Sequence, residues 1–253
     1  MAMWQTDFRR WEKSPGNPVC AVDLVLDRLL RERLTALLPD AGWLSEETAD
    51  NPARLQARRV WVVDPIDGTR DYLRGRNGWA VSIALVDAGR PVIGVLDAPA
   101  RKEIWYAEAG RGALRNGRPL AASGRVQLAG ARMPADHLSR AESDFVTVAK
   151  PNSIALRMAM VAAGEADLIA TMRWGNEWDI AAAALLASEA GAIVTDVLGG
   201  ALAFNTPRAQ AFGVLAAAPG IHAQAVARLN DRARTAMARA DFGPVQAPSS
   251  SPR

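Results

Sequence analysis

Apolar residues in the first half of the chain follow first a helical and then a strand pattern. Between residues 21 and 38 they recur every three or four positions, and Pro39 and Asp40 end the run. This spacing predicts an amphipathic helix with Asp23 near its start. Apolar runs at 60–63, 80–86, 92–96 and 104–107 predict four strands, with a hairpin turn at 89–91. The first half is therefore predicted to be a largely antiparallel sheet beside a helix.

The second half alternates between helical and strand patterns. Helices are predicted over 153–163, 180–190 and 219–240, and strands over 166–171, 192–196 and 212–216. Because strands that alternate with helices commonly form parallel sheets, we expect a more parallel sheet in this half. We place a boundary between two lobes near Ser123, giving lobes of 1–122 and 123–242. The tail, 243–253, ends in a low-complexity stretch and is expected to be disordered.

Composition excludes several classes of protein. The chain has 253 residues, 49% of them hydrophobic and 23% charged, which is typical of a globular protein. Thirty basic and 27 acidic residues give a net charge of only +3, too even for a protein that binds a nucleic-acid polymer. A single Cys excludes an internal disulfide, and no Cys and His spacing indicates zinc. Without a signal-peptide core or a long apolar run, we expect no membrane insertion and a cytoplasmic location.

The segment from Trp61 to Thr69, WVVDPIDGT, carries the strongest chemical signal. Asp64 and Asp67 stand three residues apart at the end of an apolar strand. Pro65 cannot donate to a sheet, so we expect the strand to end there, and Gly68 permits a backbone conformation that other residues resist. Two carboxylates facing one small volume suit a metal ion and a phosphate. An Asp-Gly turn with Asp64 as a local cap is the simpler alternative.

A calcium loop of the EF-hand type does not fit this segment. With Gly68 at its sixth position, Val63, Pro65 and Arg74 would occupy positions that require carboxylates. No Gly-x-Gly-x-x-Gly follows a strand either, which argues against a dinucleotide-binding oxidoreductase.

The segment resembles the signature of the inositol monophosphatase family, and three further segments resemble the family in the expected order. These are 18–23 (PVCAVD), 44–47 (LSEE) and 178–191, which opens with WDIAAA and ends with EAG. The resemblance extends from about Lys13 to about His222. It implies a layered αβαβα fold and a magnesium-dependent, lithium-sensitive phosphatase that acts on a small phosphorylated metabolite.

The resemblance also implies a division of roles. Glu46, Asp64 and the backbone carbonyl of Ile66 would hold the first of two or three magnesium ions, and Asp64 would bridge to a second ion held by Asp67 and Asp179. Thr69, paired with Asp23, would orient and deprotonate the attacking water. The backbone N–H groups of Gly68 and Thr69 would bind phosphate oxygens, so that the substrate contacts Glu46, Ile66, Asp67, Gly68, Thr69 and Asp179. Lys13 resembles a lysine near the entrance of the metal site.

Simpler roles stay open for several of these side chains. Asp23 and Asp179 could each cap a helix, and Glu46 could belong to a solvated acidic loop. The family usually carries a longer N-terminal helix than the twelve residues before Lys13, and Cys20 stands where it commonly has Thr. In this setting we expect Cys20 to be packed rather than reactive.

The sequence indicates the substrate less clearly than the reaction. Met172 replaces an acidic residue that inositol monophosphatases use to bind a polyol. Segments 44–47, 150–157 and 204–207 resemble bacterial 3'(2'),5'-bisphosphate nucleotidases instead, which favours adenosine 3',5'-bisphosphate. Ser153 and Arg157 would then meet the second phosphate, although a helix cap and a surface arginine are the simpler interpretations. An inositol-1-phosphatase, another sugar or histidinol phosphatase, and a non-catalytic metal-binding regulatory relative are the alternatives, and a homodimer is left open.

Overall fold

A computed structural model of the chain describes Trp4, residues 10–14 and residues 17–241, with side chains described for Trp4 and residues 20–240. The helices are α1 (Ala21–Leu37), α2 (Thr69–Leu73), α3 (Ile154–Ala162), α4 (Glu177–Glu189) and α5 (Pro219–Asp241). The strands are β1 (Arg10–Ser14), β2 (Asn17–Cys20), β3 (Gly42–Ser45), β4 (Arg59–Asp67), β5 (Ala80–Asp87), β6 (Arg90–Ala98), β7 (Glu103–Glu108), β8 (Ala113–Arg115), β9 (Arg118–Pro119), β10 (Arg132–Pro134), β11 (Val146–Val148), β12 (Leu168–Ala170), β13 (Trp174–Asn176), β14 (Ile193–Thr195), β15 (Gln210–Phe212) and β16 (Leu215–Ala217). Short 3₁₀ helices cover Pro52–Gln56, Pro99–Arg101 and Arg140–Glu142. The expected tail, 243–253, lies outside the described residues.

Strands β3 to β9 form one seven-stranded sheet in chain order. Within it, β3 and β4 run parallel and every later neighbour is antiparallel, which confirms the predicted sheet. The predicted turn at 89–91 is shifted by one residue, because Asp87 pairs with Arg90 and the turn consists of Ala88 and Gly89. Both turn residues have positive φ, 48° and 80°, as a two-residue turn between twisted antiparallel strands requires.

Strand β4 continues past Pro65, contrary to the prediction that it ends there. Its register against β5 shifts between Asp64 and Asp67, which is a β-bulge. A bulge leaves residues of one strand unpaired, so it accommodates a proline that has no N–H to donate. The strand therefore delivers both carboxylates to the site before the chain turns at Gly68.

The predicted helices of the second half are confirmed, but its strands pair differently from the expectation. Strands β12, β16 and β14 form a three-stranded sheet in which β16 lies between the other two and runs antiparallel to both. Parallel pairing in this half occurs between β10 and β11. The strand predicted over 212–216 is split into β15 and β16 at Gly213, whose φ is 69°. The layered mixed α/β fold is thus confirmed, whereas the more parallel second sheet is not observed.

Helix α4 joins the two halves of the chain through one hydrophobic core. Its apolar residues, including Ala182 and Leu186, share a cluster with Val62, Leu96 and Trp105 of the large sheet. Gly94 of β6 makes this close packing possible, since a Cβ there would lie 2.7 Å from the carbonyl oxygen of Ala182. The lobe boundary near Ser123 stays a prediction. Among the described helices, none has the length and apolar character needed to span a membrane.

A buried carboxylate outside this core fixes the segment that follows the large sheet. Asp167, which is 1% exposed, accepts hydrogen bonds from Ser123 Oγ at 2.6 Å, from Arg132 Nη2 at 2.7 Å and from the Arg132 backbone N–H at 2.8 Å. Burial by itself raises the pKa of Asp167, but the hydrogen bonds from Arg132 and Ser123 outweigh it and lower the pKa to about 2.

We expect Asp167→Asn to lower the free energy of unfolding by about 1–3 kcal/mol at pH 7, because it disrupts hydrogen bonds made to a buried charged group. A carboxyl whose folded pKa is depressed stabilises the fold above its unfolded pKa of about 3.9 and loses that contribution as the pH falls towards 2. Urea unfolding at pH 7 and at pH 2.5 measures both effects. Asp144→Asn, at an exposed ion pair with Arg228, is the control. A difference between Asp167→Asn and the unmodified protein that stays constant between the two pH values would contradict this account.

Candidate active site

The bulge of β4 and the parallel pairing of β3 bring three acidic residues together. Asp64 is 2% exposed, and its Oδ1 accepts a hydrogen bond of 2.9 Å from the backbone N–H of Ile66. Ser45 pairs with Val63, and the next residue, Glu46, donates its backbone N–H to the Val63 carbonyl at 3.3 Å. The register thus places Glu46 beside Asp64. Asp67 completes this set from the far side of the bulge.

A fourth carboxylate, Asp179, arrives from the second half of the chain. It is the third residue of α4, and its Oδ2 accepts a hydrogen bond of 3.4 Å from the backbone N–H of Asn176, which precedes the helix. Asp179 therefore does cap its helix. This weak cap leaves the carboxylate with oxygen lone pairs for a further partner.

The four carboxylates are close enough to perturb one another. Burial raises the pKa of Asp64 well above its ordinary value, and the negative charges of Glu46, Asp67, Asp179 and Asp23 raise it further. Burial likewise raises the pKa of Asp179, followed by repulsion from Asp67 and Glu46. These side chains (Glu46, Asp64, Asp67 and Asp179), which we call the acidic cluster, therefore favour binding of a cation, because a positive charge offsets both the repulsion and the loss of hydration.

The donors of the acidic cluster fit a hydrated hard cation. In the described part of the chain, no group of three or more acidic, His or Cys side chains is arranged so that it could hold a metal ion by itself. Magnesium retains several waters and is usually bound by one or two carboxylates together with the phosphate of a substrate. The acidic cluster supplies carboxylate oxygens, the type of ligand that magnesium prefers.

Helix α3 supports Asp67 with its N-terminus. The hydroxyl of Ser153 donates to Asp67 Oδ2 at 2.5 Å, and the backbone N–H groups of Ala155 and Ile154 donate to its carboxylate at 2.7 and 3.3 Å. Burial raises the pKa of Asp67 to about 6, and the bonds from Ser153 and Ala155 counteract that rise. Ser153 is itself fully buried and caps α3 by accepting from Leu156 N–H at 2.9 Å. In this structure Ser153 is thus a helix cap that orients Asp67, and it is not accessible for the predicted contact with a second phosphate.

Gly68 makes the turn that follows the acidic cluster. Its φ is 95°, and a Cβ at this position would lie 2.7 Å from the Gly78 carbonyl oxygen and 2.8 Å from the Ser153 nitrogen. Both the backbone conformation and the close approach exclude other residues. The turn leads directly into the five-residue helix α2, so Thr69 begins a helix beside the acidic cluster.

The hydroxyl of Thr69 donates to the backbone carbonyl of Ile66 at 3.0 Å. A hydroxyl has one proton, so this bond replaces the predicted donation from Thr69 to Asp23. The carboxylate of Asp23 accepts from the backbone N–H and the thiol of Cys20 at 2.8 and 3.0 Å, which caps α1. Asp23 therefore fulfils the simpler capping role as well, and its catalytic pairing with Thr69 stays a prediction.

Comparison with known proteins identifies the family. Residues 2–235 match the family model described as "Inositol monophosphatase family". The chain belongs to the inositol monophosphatase family. An inositol-1-monophosphatase of Mesorhizobium japonicum is 37% identical over 207 residues, which are 74% of this chain and 75% of that protein. The 3'(2'),5'-bisphosphate nucleotidase CysQ of Salmonella typhimurium is 34% identical over 209 residues, which are 78% of this chain and 82% of that protein.

A solved structure supports the same assignment. The inositol monophosphatase of Thermotoga maritima has a TM-score of 0.79 and 28% identity, covering 93% of this chain and 92% of that one. The inositol monophosphatase family and these relatives are phosphatases. Because relatives with different substrates have similar identities to the chain, sequence similarity does not resolve the substrate.

Two departures from the family pattern have clear structural outcomes. Cys20 is fully buried, and its pKa is raised to about 12 by burial and by the hydrogen bond to Asp23. Its burial confirms that Cys20 is packed, and a raised pKa disfavours the thiolate form that reacts. Met172, in place of the family's acidic residue, packs against the cluster around Phe212 and Leu215. Lys13 lies in β1, and its side chain is outside the described residues.

Two arginines lie on the side of the acidic cluster formed by α3 and the segment before α4. Arg157 donates to the backbone carbonyls of Ser153 and Asn152 at 3.2 and 3.0 Å. Burial lowers the pKa of Arg157, attraction to Asp67 opposes that change, and repulsion from Arg173 adds to it. Sequence reasoning found Arg157 and missed Arg173. The signal available for Arg173 was its place beside Met172, in the loop that leads to the Trp-Asp motif.

One cleft among the described residues is lined by none of the four side chains of the acidic cluster. It has a volume of about 760 Å³, and its charged lining includes Arg74, Arg76, Arg101, Lys150 and Asp136. A narrow pocket, in contrast, reaches Asp179 itself and is lined by Thr171, Arg173 and Gly213 among others. A choice of the candidate active site by cleft volume alone would therefore select a cleft that the acidic cluster does not line.

Proposed function

We propose that the chain is a magnesium-dependent phosphatase that hydrolyses a small phosphate monoester by activating water. The acidic cluster carries this proposal, because four carboxylates that repel one another beside a glycine turn are costly without cations. Glu46, Asp64, Asp67, Asp179 and the Ile66 carbonyl would hold two or three magnesium ions. When bound, the ions supply a Lewis acid and lower the pKa of a bound water.

The residues of the turn carry the remaining roles. The backbone N–H groups of Gly68 and Thr69 would bind phosphate oxygens, since N–H groups at a turn that begins a helix suit an anion. The Thr69 hydroxyl would exchange its bond with the Ile66 carbonyl for one with Asp23, and the pair would orient the attacking water and accept its proton. Ser153 would act indirectly, by holding Asp67 in place.

Adenosine 3',5'-bisphosphate is the substrate that we favour. Arg157 and Arg173 place two positive charges near the acidic cluster, where a second phosphate would find charge-assisted hydrogen bonds. Met172 offers no carboxylate to a polyol hydroxyl, which disfavours inositol 1-phosphate. An inositol-1-phosphatase or another sugar or histidinol phosphatase is the alternative within the family.

A non-catalytic, metal-binding regulatory role is the alternative from another class. A protein of that kind would not need all the predicted ligands. Here Glu46, Asp64, Asp67, Asp179 and Thr69 are all present, which favours catalysis.

Phosphate release tests this proposal. The substrates are adenosine 3',5'-bisphosphate, inositol 1-phosphate, fructose 1,6-bisphosphate and histidinol phosphate, each with magnesium, with chelator and with millimolar lithium. We expect activity to require magnesium, to fall with lithium and to be highest in kcat/KM for the bisphosphate nucleotide. Unchanged turnover after complete removal of metal would overturn the mechanism, and a preference for inositol 1-phosphate would reverse the choice of substrate.

A matched pair of variants tests the second-phosphate contact. Arg173→Gln should lower kcat/KM for adenosine 3',5'-bisphosphate by about tenfold, on the scale of one lost charge-assisted hydrogen bond, and should leave inositol 1-phosphate unaffected. Arg74→Gln, in the cleft that the acidic cluster does not line, is the control. Equal losses with both substrates would show that Arg173 does not select for the second phosphate.

A further inference from the structure

A buried carboxylate beside the acidic cluster has no role in the proposed chemistry. Glu177, the first residue of α4, is 0% exposed. One of its carboxylate oxygens accepts from the backbone N–H of Asn205 at 2.6 Å, and the other accepts from the N–H and the hydroxyl of Thr206 at 2.9 and 2.5 Å. Three donors thus fix the turn at 205–206 to the start of the helix that carries Asp179.

A buried guanidinium holds the same turn from the other side. Arg54, whose side chain is 1% exposed, donates to Asn205 Oδ1 at 2.7 Å and to the Thr206 carbonyl at 3.0 Å. The amide of Asn205 donates back to the Arg54 carbonyl at 3.2 Å. Arg54 also forms a two-point ion pair with Asp50, at 2.6 and 2.9 Å. The turn is therefore bound between two buried charges of opposite sign.

These contacts connect the two halves of the acidic cluster. Asp50 lies in the loop that begins with Glu46, and the hydroxyl of Thr48, in the same loop, donates to Asp27 of α1 at 2.6 Å. The path from Glu46 through Asp50, Arg54 and the turn to Glu177 ends two residues before Asp179. Its middle part, from Asp50 to Glu177, consists of charge-assisted hydrogen bonds, which are shorter and stronger than neutral ones. The backbone of residues 46–50 and 177–179 joins the two ends of this part to Glu46 and Asp179.

We infer that Glu177 and Arg54 are positioning residues, which set the separation between Glu46 and Asp179 and thereby the affinity of the acidic cluster for divalent cations. The inference rests on the proposed function. Its physical basis is that residues supporting metal ligands commonly change metal affinity by about 10–100-fold when they are altered. Neither side chain touches the reacting atoms in this proposal.

Substitution of Glu177 tests the inference most directly. In Glu177→Gln an amide NH₂ replaces one acceptor oxygen and faces the donors of Asn205 or Thr206, so the contact becomes repulsive while the volume is kept. We expect the dissociation constant for Mn²⁺, measured by calorimetry without substrate, to rise by about tenfold or more. Thr206→Val removes a single donor and should raise it by about threefold, on the scale of one net hydrogen bond. At saturating magnesium, both variants should recover kcat.

Asp167→Asn is the matched control, because it also disrupts hydrogen bonds to a buried carboxylate but lies in a network separate from the acidic cluster. It should leave Mn²⁺ affinity unchanged even where its melting temperature falls as much as that of Glu177→Gln. The inference would be overturned if Asp167→Asn weakened Mn²⁺ binding as much as Glu177→Gln does, or if a folded Glu177→Gln bound Mn²⁺ with unchanged affinity. If Glu177→Gln does not fold, unchanged affinity in Thr206→Val would do the same. Failure of the unmodified protein to bind Mn²⁺ would instead overturn the proposed metal-dependent function.

Discussion

Asp64→Asn should lower kcat by roughly 10³-fold or more, and additional magnesium should not restore it. In the proposed mechanism Asp64 would hold the divalent cations, and losing this ligand would remove an interaction worth several kcal/mol in the transition state, where each 1.36 kcal/mol is a factor of ten. Asparagine retains an oxygen for the Ile66 N–H, so the shape of the bulge is kept. Calorimetric titration with Mn²⁺ measures the loss of metal affinity, and kinetics at increasing magnesium concentrations measure the loss of kcat.

In the absence of metal, Asp64→Asn should not destabilise the protein. Because burial and neighbouring charges raise the pKa of Asp64, removing its charge relieves repulsion in the metal-free protein. Its melting temperature in chelator should therefore be no lower than that of the unmodified protein, whereas the rise that magnesium produces by binding the folded state should disappear. Asp144→Asn is the control for a surface charge. A variant that melts early in chelator and still gains stability from magnesium would show that Asp64 is a structural residue.

Thr69→Ala should lower kcat by roughly 10²-fold, the usual scale of a lost general acid–base element, while metal binding stays nearly intact. Every carboxylate of the acidic cluster remains, and so do the backbone N–H groups proposed to bind phosphate. Thr69→Ser, which keeps the hydroxyl, is the control and should retain most activity. If Thr69→Ala lost Mn²⁺ as severely as Asp64→Asn, its hydroxyl would be supporting the Ile66 carbonyl rather than activating water.

A double variant decides whether Asp23 and Thr69 act as a pair. In this structure the Thr69 hydroxyl donates to the Ile66 carbonyl and not to the Asp23 carboxylate, so the pairing requires the hydroxyl to rotate. If it does, Asp23→Asn should resemble Thr69→Ala, and the double variant should be little worse than either, as expected for groups that act as one unit. If the losses of kcat in the two single variants multiply in the double variant, the two residues act independently, and Asp23 has only the role of capping α1.

Local sequence signals predicted most of the fold and the shared site of Asp64 and Asp67. Glu46 and Asp179 were predicted from the resemblance to the inositol monophosphatase family. The apolar spacing of residues 21–38 predicted α1 almost to the residue. One face of that helix, with Leu30 and Leu34, packs on the large sheet. The segment 61–69 predicted a strand, two carboxylates and a glycine turn, since proline, glycine and aspartate each restrict the backbone in a known way. These elements could be predicted because each depends on interactions between residues that are close in the sequence.

The errors concern contacts between residues distant in the chain. The path of β4 past Pro65 depends on a bulge that only its pairing with β5 defines. The antiparallel second sheet depends on β16 inserting between β12 and β14. Ser153 was predicted to contact a ligand because the residues near it in the sequence do not reveal that its hydroxyl donates to Asp67. Glu177 and Arg54 carry no local signal either, because each is explained only by the turn at 205–206 between them.

The close packing of α4 on the large sheet has a consequence for how the protein acquires activity. Asp179 reaches its partners only after a helix from the second half of the chain docks on strands made much earlier, and contacts of such large sequence separation form slowly because the loop between them must first be closed. Strands β4 to β7 can pair through short connections before that event. Recovery of catalysis after dilution from denaturant should therefore lag behind recovery of sheet structure. A larger side chain at Gly94, where a Cβ would lie 2.7 Å from the Ala182 carbonyl oxygen of α4, should lengthen this delay.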